Sequence, residues 1–208
     1  MIDNYKSLPL GKYLDICQVC KDESLEEIER QVKILSILSD MTEEEILHLP
    51  IPKYKEMVVA SRFLEDVDKN RHKAARLYIV GNWKLLPTMD YRKMETAQYV
   101  DFQTFAPMVE THMAELLSCL LVPVGCRYNE GYDILEVQKA IRDEMSVSDA
   151  VSLAGFFLTW CRKSIKDSLN YSKQEAMRIK DKTKREEILG KIREQERLLE
   201  TSGDGLQM

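Results

Sequence analysis

Cys17 and Cys20 stand in the run Cys17-Gln-Val-Cys20, a spacing at which two thiolates can grip one zinc ion or cycle as a redox pair. A zinc site needs four ligands, and nothing else in the chain repeats the pattern. Cys119 and Cys126 lie far away at a different spacing, and His48, His72 and His112 are scattered. A thioredoxin-type pair belongs in a βαβ unit, which the sequence pattern lacks. The surrounding residues favour two small apolar side chains on the buried side of a helix, with a Cys-based metal-binding regulator as the rival reading. Asp15 and Asp101 could act as acid and base, but no partner group stands beside either one, so local capping or ion pairing is expected. Ser36, Ser118 and Ser152 have no G-x-S-x-G context. The eight glycines are isolated or in turns and build no phosphate loop. No catalytic residue, cofactor or metal is expected.

The bulk composition narrows the partners. At 208 residues the chain suits one ordinary domain or two small halves sharing a core. A hydrophobic content of 44% can build that core, and a charged content of 31% fits helices with solvated faces. The net charge of -5 argues against a dedicated nucleic-acid binder. The basic run Arg178, Lys180, Lys182, Lys184 and Arg185 is diluted by Asp181, Glu186 and Glu187, as on a solvated helix face. Met1–Lys12 has no apolar signal segment, and the apolar run 116–124 is too short to span a membrane. Five cysteines, an odd number, fit reduced thiols. A cytosolic protein without a membrane partner is expected.

The elements that position these residues read as mainly α. Helices are expected over 10–21; from Ser24, with Glu27 completing a capping box; over 43–48, with Thr42 and Glu45 as another; and over 53–68. Leu77-Tyr-Ile-Val, Gly81-Asn82 and Trp83-Lys-Leu-Leu read as a β-hairpin, because Gly-Asn supplies the positive φ of a tight turn. Helices follow over 109–121, 134–143 and 150–165, the last being the expected central core helix. Residues 122–132 read as a loop rich in Pro, Gly and Asn. From Ser168 the chain becomes charged, with a narrow apolar stripe that includes Ile188, Ile192 and Leu199. The tail 201–208 reads as flexible.

Two segments echo each other. Gly11-Lys-Tyr-Leu-Asp-Ile matches Ala97-Gln-Tyr-Val-Asp-Phe, and Met41-Thr-Glu-Glu-Glu-Ile-Leu-His-Leu matches Met145-Ser-Val-Ser-Asp-Ala-Val-Ser-Leu. The echoes predict a duplicated helical unit, an arrangement that often builds binding surfaces. The expected organisation is a first helical unit over 1–70, a hairpin connector over 71–92, a second helical unit over 93–167 with an inserted loop and helix at 122–144, and a charged helical arm and tail over 168–208. The insertion breaks the symmetry. It makes Tyr128 and Tyr132 candidate partner-binding residues, alongside Ile188, Ile192 and Leu199 on the charged arm.

The string Ser36–Met57, "SILSDMTEEEILHLPIPKYKEM", with "YIVGNWKLL" leading to "TAQYVDFQTF", resembles a pattern in small helical proteins of tailed bacteriophages. The resembling proteins are tail-assembly-chaperone-like or neck and tail structural proteins, especially of the crAss-like phages of Bacteroidales. The resemblance covers about 8–160 and rests on apolar spacing and one Leu-Pro. It implies a non-enzymatic structural or assembly protein of the portal–neck–tail region. The implied partners are portal, tail or neck proteins, together with further copies of the chain in a homo-oligomer. The implied location is the host cytoplasm during assembly and, for a structural component, the virion. A transient chaperone absent from the virion is the alternative.

Overall fold

Short polar contacts set where the helices begin. In the computed structural model, which describes residues 1–65, 72–88, 90, 93–179 and 182–201, and only the backbone at 158–168, 182–183, 195–196 and 198–201, α1 runs Leu10–Lys21. Helix α2 (Glu27–Ser39) opens on a capping box between Glu26 and Glu29. The expected Ser24–Glu27 box does not form, because the Ser24 hydroxyl donates to Asp22 and the helix starts further on. Helix α3 (Glu43–Leu47) carries the expected box: the Thr42 side chain accepts from the Glu45 N–H, and the Glu45 carboxylate accepts from the Thr42 N–H at 2.7 Å. Helix α4 (Ile51–Ser61) starts after Pro50 and ends in a 3-10 turn at Arg62–Glu65; residues 66–68 of the expected helix lie outside the described residues.

These elements belong to the first of two units, Met1–Ala154 and Gly155–Met208. Val32, Leu35, Ile46 and Met57 form one buried cluster across α2, α3 and α4. Tyr5, Leu8, Tyr13, Ile16, Leu38, Val147 and Val151 form another. The second cluster is closed by main-chain pairing of distant segments: Leu10 N–H donates to Met145 O at 2.8 Å, and Val147 N–H to Leu8 O at 2.9 Å. Gly11 lets α1 approach α7 (Ile134–Glu144), because a Cβ there would stand 2.9 Å from Arg142 O and from its Cγ.

The hairpin is present and belongs to a larger sheet. Strand β1 (Tyr78–Val80) turns through Gly81, at φ 55°, into β2 (Trp83–Pro87). A third strand, β3 (Leu121–Pro123), pairs antiparallel with β2, Leu86 facing Val122. The order is β1-β2-β3. The loop expected from 122 and the helix expected over 109–121 are corrected here. Helix α6 is only Met113–Leu120, and the chain extends at once into β3. Helix α5 (Thr96–Phe105) precedes α6 and leads into a 3-10 turn at Ala106–Met108.

Helix α8 runs Val147–Met177, with no break at Ser168. Ser146 caps it: its hydroxyl donates to the Asp149 carboxylate at 2.8 Å and accepts from the Asp149 N–H. In the second unit α8 ends where the N–H groups of Arg178 and Ile179 fold back on Glu175 O and Ala176 O. Helix α9 is Lys182–Thr201. Lys180, Asp181 and the tail 202–208 lie outside the described residues. The two echo segments fall on α1 and α5, in unlike surroundings: Tyr13 is buried, and Tyr99 is 46% exposed.

Candidate functional site

The turn after β3 is built from the residues that bind it to α5 and α6. Tyr128 is 5% exposed. Its hydroxyl donates to Asp101 Oδ2 at 2.8 Å and lies 3.6 Å from Cys119 Sγ. Burial is the main cause that pushes this phenol well above the ordinary tyrosine value, with the Cys119 and Asp101 hydrogen bonds adding to it. Burial likewise pushes the Cys119 thiol up to about 11, which keeps it protonated and unreactive. Gln98, itself buried, donates to Cys119 O at 2.6 Å and to Thr88 Oγ1 at 3.0 Å. Tyr132 is half-buried, packs edge-on against Trp83, and accepts from the Asn129 N–H. Arg127 donates to Glu95 Oε1 at 3.1 Å. Every one of these contacts is internal, so the turn is a packed and hydrogen-bonded part of the first unit.

A second cluster joins residues that the sequence keeps far apart. His72 Nε2 lies 3.0 Å from Asp149 Oδ1, and Nδ1 lies 3.1 Å from Ser152 Oγ and 3.2 Å from Ser148 Oγ. This is a Ser–His–Asp grouping by composition, and its geometry is that of a tether. The Ser152 hydroxyl donates to Ser148 O at 2.7 Å, its oxygen accepts from the His72 N–H at 3.0 Å, and the side chain is buried within α8. A nucleophile must offer an accessible oxygen whose proton the base can take. Here the group seats the segment before β1 on the first two turns of α8. Residue spacing could not reveal it, since His72 and Ser152 are eighty positions apart.

Cys17 is half-buried and its thiol is raised by burial; Cys20 is exposed. Among the described residues no three His, Cys, Asp or Glu side chains are grouped so as to hold a metal ion. Asp15 pairs with Arg142 at 2.7 Å, Ser36 donates to Met41 O, and Ser118 donates to Glu115 O. Of the apolar stripe on the charged arm, Ile192 is buried and Ile188 half-buried; the Leu199 side chain lies outside those described.

The surface best suited to a partner is one the sequence reading did not single out. Strand residues alternate between faces. Tyr78, Val80, Leu85, Leu121 and Pro123 point to the buried side. The other side carries Ile79 opposite Lys84, and Leu86 opposite Val122. Val124, whose N–H donates to Lys84 O, and Leu77, just before β1, add to it. Ile79 is 72% exposed, and Leu77, Leu86 and Val124 are exposed as well. The outer face of the sheet is therefore apolar around one lysine. The signal was available in part: Ile79 and Leu86 are the apolar residues left over once the alternation assigns Tyr78, Val80 and Leu85 to the core.

The chain matches no protein-family model, no characterised protein and no solved structure. No described helix is long and apolar enough to cross a membrane.

Proposed function

We propose that the protein is a non-enzymatic structural or assembly component that works through protein–protein contacts. The resemblance of the 36–57, 78–86 and 96–105 strings to phage proteins supports a place in the portal–neck–tail region of a tailed bacteriophage. The observation that carries the reading is the outer face of the β1–β2–β3 sheet, where Leu77, Ile79, Leu86 and Val124 are left in water around Lys84. Exposed apolar patches of this kind, on a sheet whose other face buries Tyr78, Val80, Leu85 and Leu121, mark surfaces that a partner covers. The contrast with the His72–Asp149–Ser152 group supports the same reading, since that group's hydrogen bonds are already spent on holding the fold.

Mass spectrometry of purified particles of the encoding phage tests the assignment. Recovery in many copies per particle is the expected result. Absence from particles, with capture of a tail protein from infected cells, would move the protein to the chaperone alternative. Absence from both would remove the phage assignment.

A further inference from the structure

The sheet face has a counterpart elsewhere in the first unit. Leu47, at the end of α3, is 66% exposed, and Ile51, at the start of α4, is 70% exposed. One helical turn before Leu47 stand Glu43 and Glu44, both exposed. Neither carboxylate has an ion-pair or hydrogen-bond partner among the described residues, whereas Glu45, beside them, is spent on the Thr42 cap. Lys84, at the centre of the sheet face, is exposed and also without an ion-pair partner among the described residues. The sheet face thus carries one cation, Lys84, and the α3 end of the corner carries two anions, with the exposed Lys53 and Lys55 following on α4. Helix α3 packs on α2, and β1 packs on α7, so different elements carry the two surfaces.

We infer that the sheet face of one copy receives the α3–α4 corner of a second copy. Leu47 and Ile51 would cover Ile79, Leu86 and Val124, and Lys84 would meet Glu43 and Glu44. This identifies a partner for the surface on which the proposed function rests. Charge complementarity selects the occupant. Packing the sheet face on itself across a two-fold axis would bring Lys84 towards Lys84 within an apolar contact, where an uncompensated charge is costly. Pairing it with the corner supplies the opposite charge. Because two different surfaces meet, the contact is head-to-tail, and a pair of copies keeps one free surface of each kind, the sheet face on one copy and the corner on the other.

Sedimentation velocity on the full-length chain tests this. Wild type should associate with rising concentration. Ile79→Asp on the sheet face and Leu47→Asp on the corner should each weaken association at least tenfold, with unchanged circular dichroism, because both side chains are exposed. Mixing the two variants should restore one contact and stop at a dimer, since each variant retains the surface that the other lacks. Lys84→Glu alone, and Glu43→Lys with Glu44→Lys alone, should weaken association; all three in one chain should recover it. A chain that stays monomeric at its highest soluble concentration overturns the inference. So does an Ile79→Asp variant that still dimerises alone, or a mixture that does not associate. None of these failures touches the particle measurement, which judges the proposed function separately.

Discussion

Replacing Tyr128 by Phe removes one hydroxyl and leaves the ring where it packs. The ring is 5% exposed, and the hydroxyl donates to Asp101 Oδ2 at 2.8 Å across a sequence gap of 27 residues. A hydrogen bond to a charged group is worth about 1.5–3 kcal/mol when fully enclosed. Asp101 is only half-buried, so water can replace part of what it loses, and the expected cost is about 1–2 kcal/mol. For a chain of this size that corresponds to a fall in melting temperature of about 2–8 °C. The loss should be local to the first unit. Hydrogen exchange resolved by peptide should rise across 96–105 and 113–123, which Tyr128 and Asp101 join, with little change in 182–201. Asp101→Asn completes a double-mutant cycle, and a coupling of about 1 kcal/mol is expected between the two sites. A Tyr128→Phe variant within about 0.5 kcal/mol of wild type, or single losses that simply add, would refute the reasoning. The same variant should self-associate like wild type, since Tyr128 offers no surface to a partner.

Thr42→Ala should cost about 1 kcal/mol by removing the α3 cap, seen as faster exchange of the 43–47 amides. The Thr42 backbone and side-chain hydrogen bonds hold the Glu45 carboxyl below the ordinary glutamate value. Its contribution to stability should therefore be present above that ordinary value and be lost as pH falls through the lower folded value; a pH series of exchange at 43–47 should follow that course in wild type and be reduced in Thr42→Ala, which loses the side-chain hydrogen bond and keeps the backbone N–H at position 42. Gly11→Ala should destabilise by about 1–3 kcal/mol in urea unfolding, because the new Cβ meets Arg142 O at 2.9 Å and a backbone atom cannot step aside. Alkylation at mildly alkaline pH followed by peptide mass mapping should, among Cys17, Cys20, Cys119 and Cys126, modify exposed Cys20 first and Cys119 last, since burial both shields the Cys119 thiol and raises it to about 11.

Features encoded within a few residues of each other could be read from the sequence. The Thr42–Glu45 box and the Gly81 turn are local, and each appears where the residues put it. The Ser24 reading failed for an equally local reason. Asp22 competes for the Ser24 hydroxyl, and Glu26 with Glu29 offers a second box two residues on. Strand β3 is hidden in the sequence because Leu116–Pro123 is one nearly unbroken apolar run, which carries no period to separate the end of α6 from the start of β3. The change to charged residues at Ser168 looked like a boundary, yet residues 156–177 hold neither glycine nor proline, and charge alone does not stop a helix. The His72 tether and the apolar sheet face needed the third dimension. One is assembled from positions 72 and 148–152, and the other from three strands of which the third was not visible.

The insertion at 122–144 breaks the echoed pattern, which points to the second half for specific binding, and the contacts give the insertion an internal task. The two echo aspartates sit on α1 and α5, and both reach into it. Asp15 accepts from Arg142 on α7 at 2.7 Å, and Asp101 accepts from Tyr128 at 2.8 Å. Helix α7 packs on both α1 and α6, and Gly11 is what lets α1 come close enough to do so. The insertion therefore joins the helices that carry the two echoes, and its aromatic side chains are turned inward. A surface free to meet a partner must be sought on elements whose side chains are not used in this way. The outer sheet face and the α3–α4 corner meet that condition, because Ile79, Leu47 and Ile51 are 72%, 66% and 70% exposed while the strands and helices beneath them are packed.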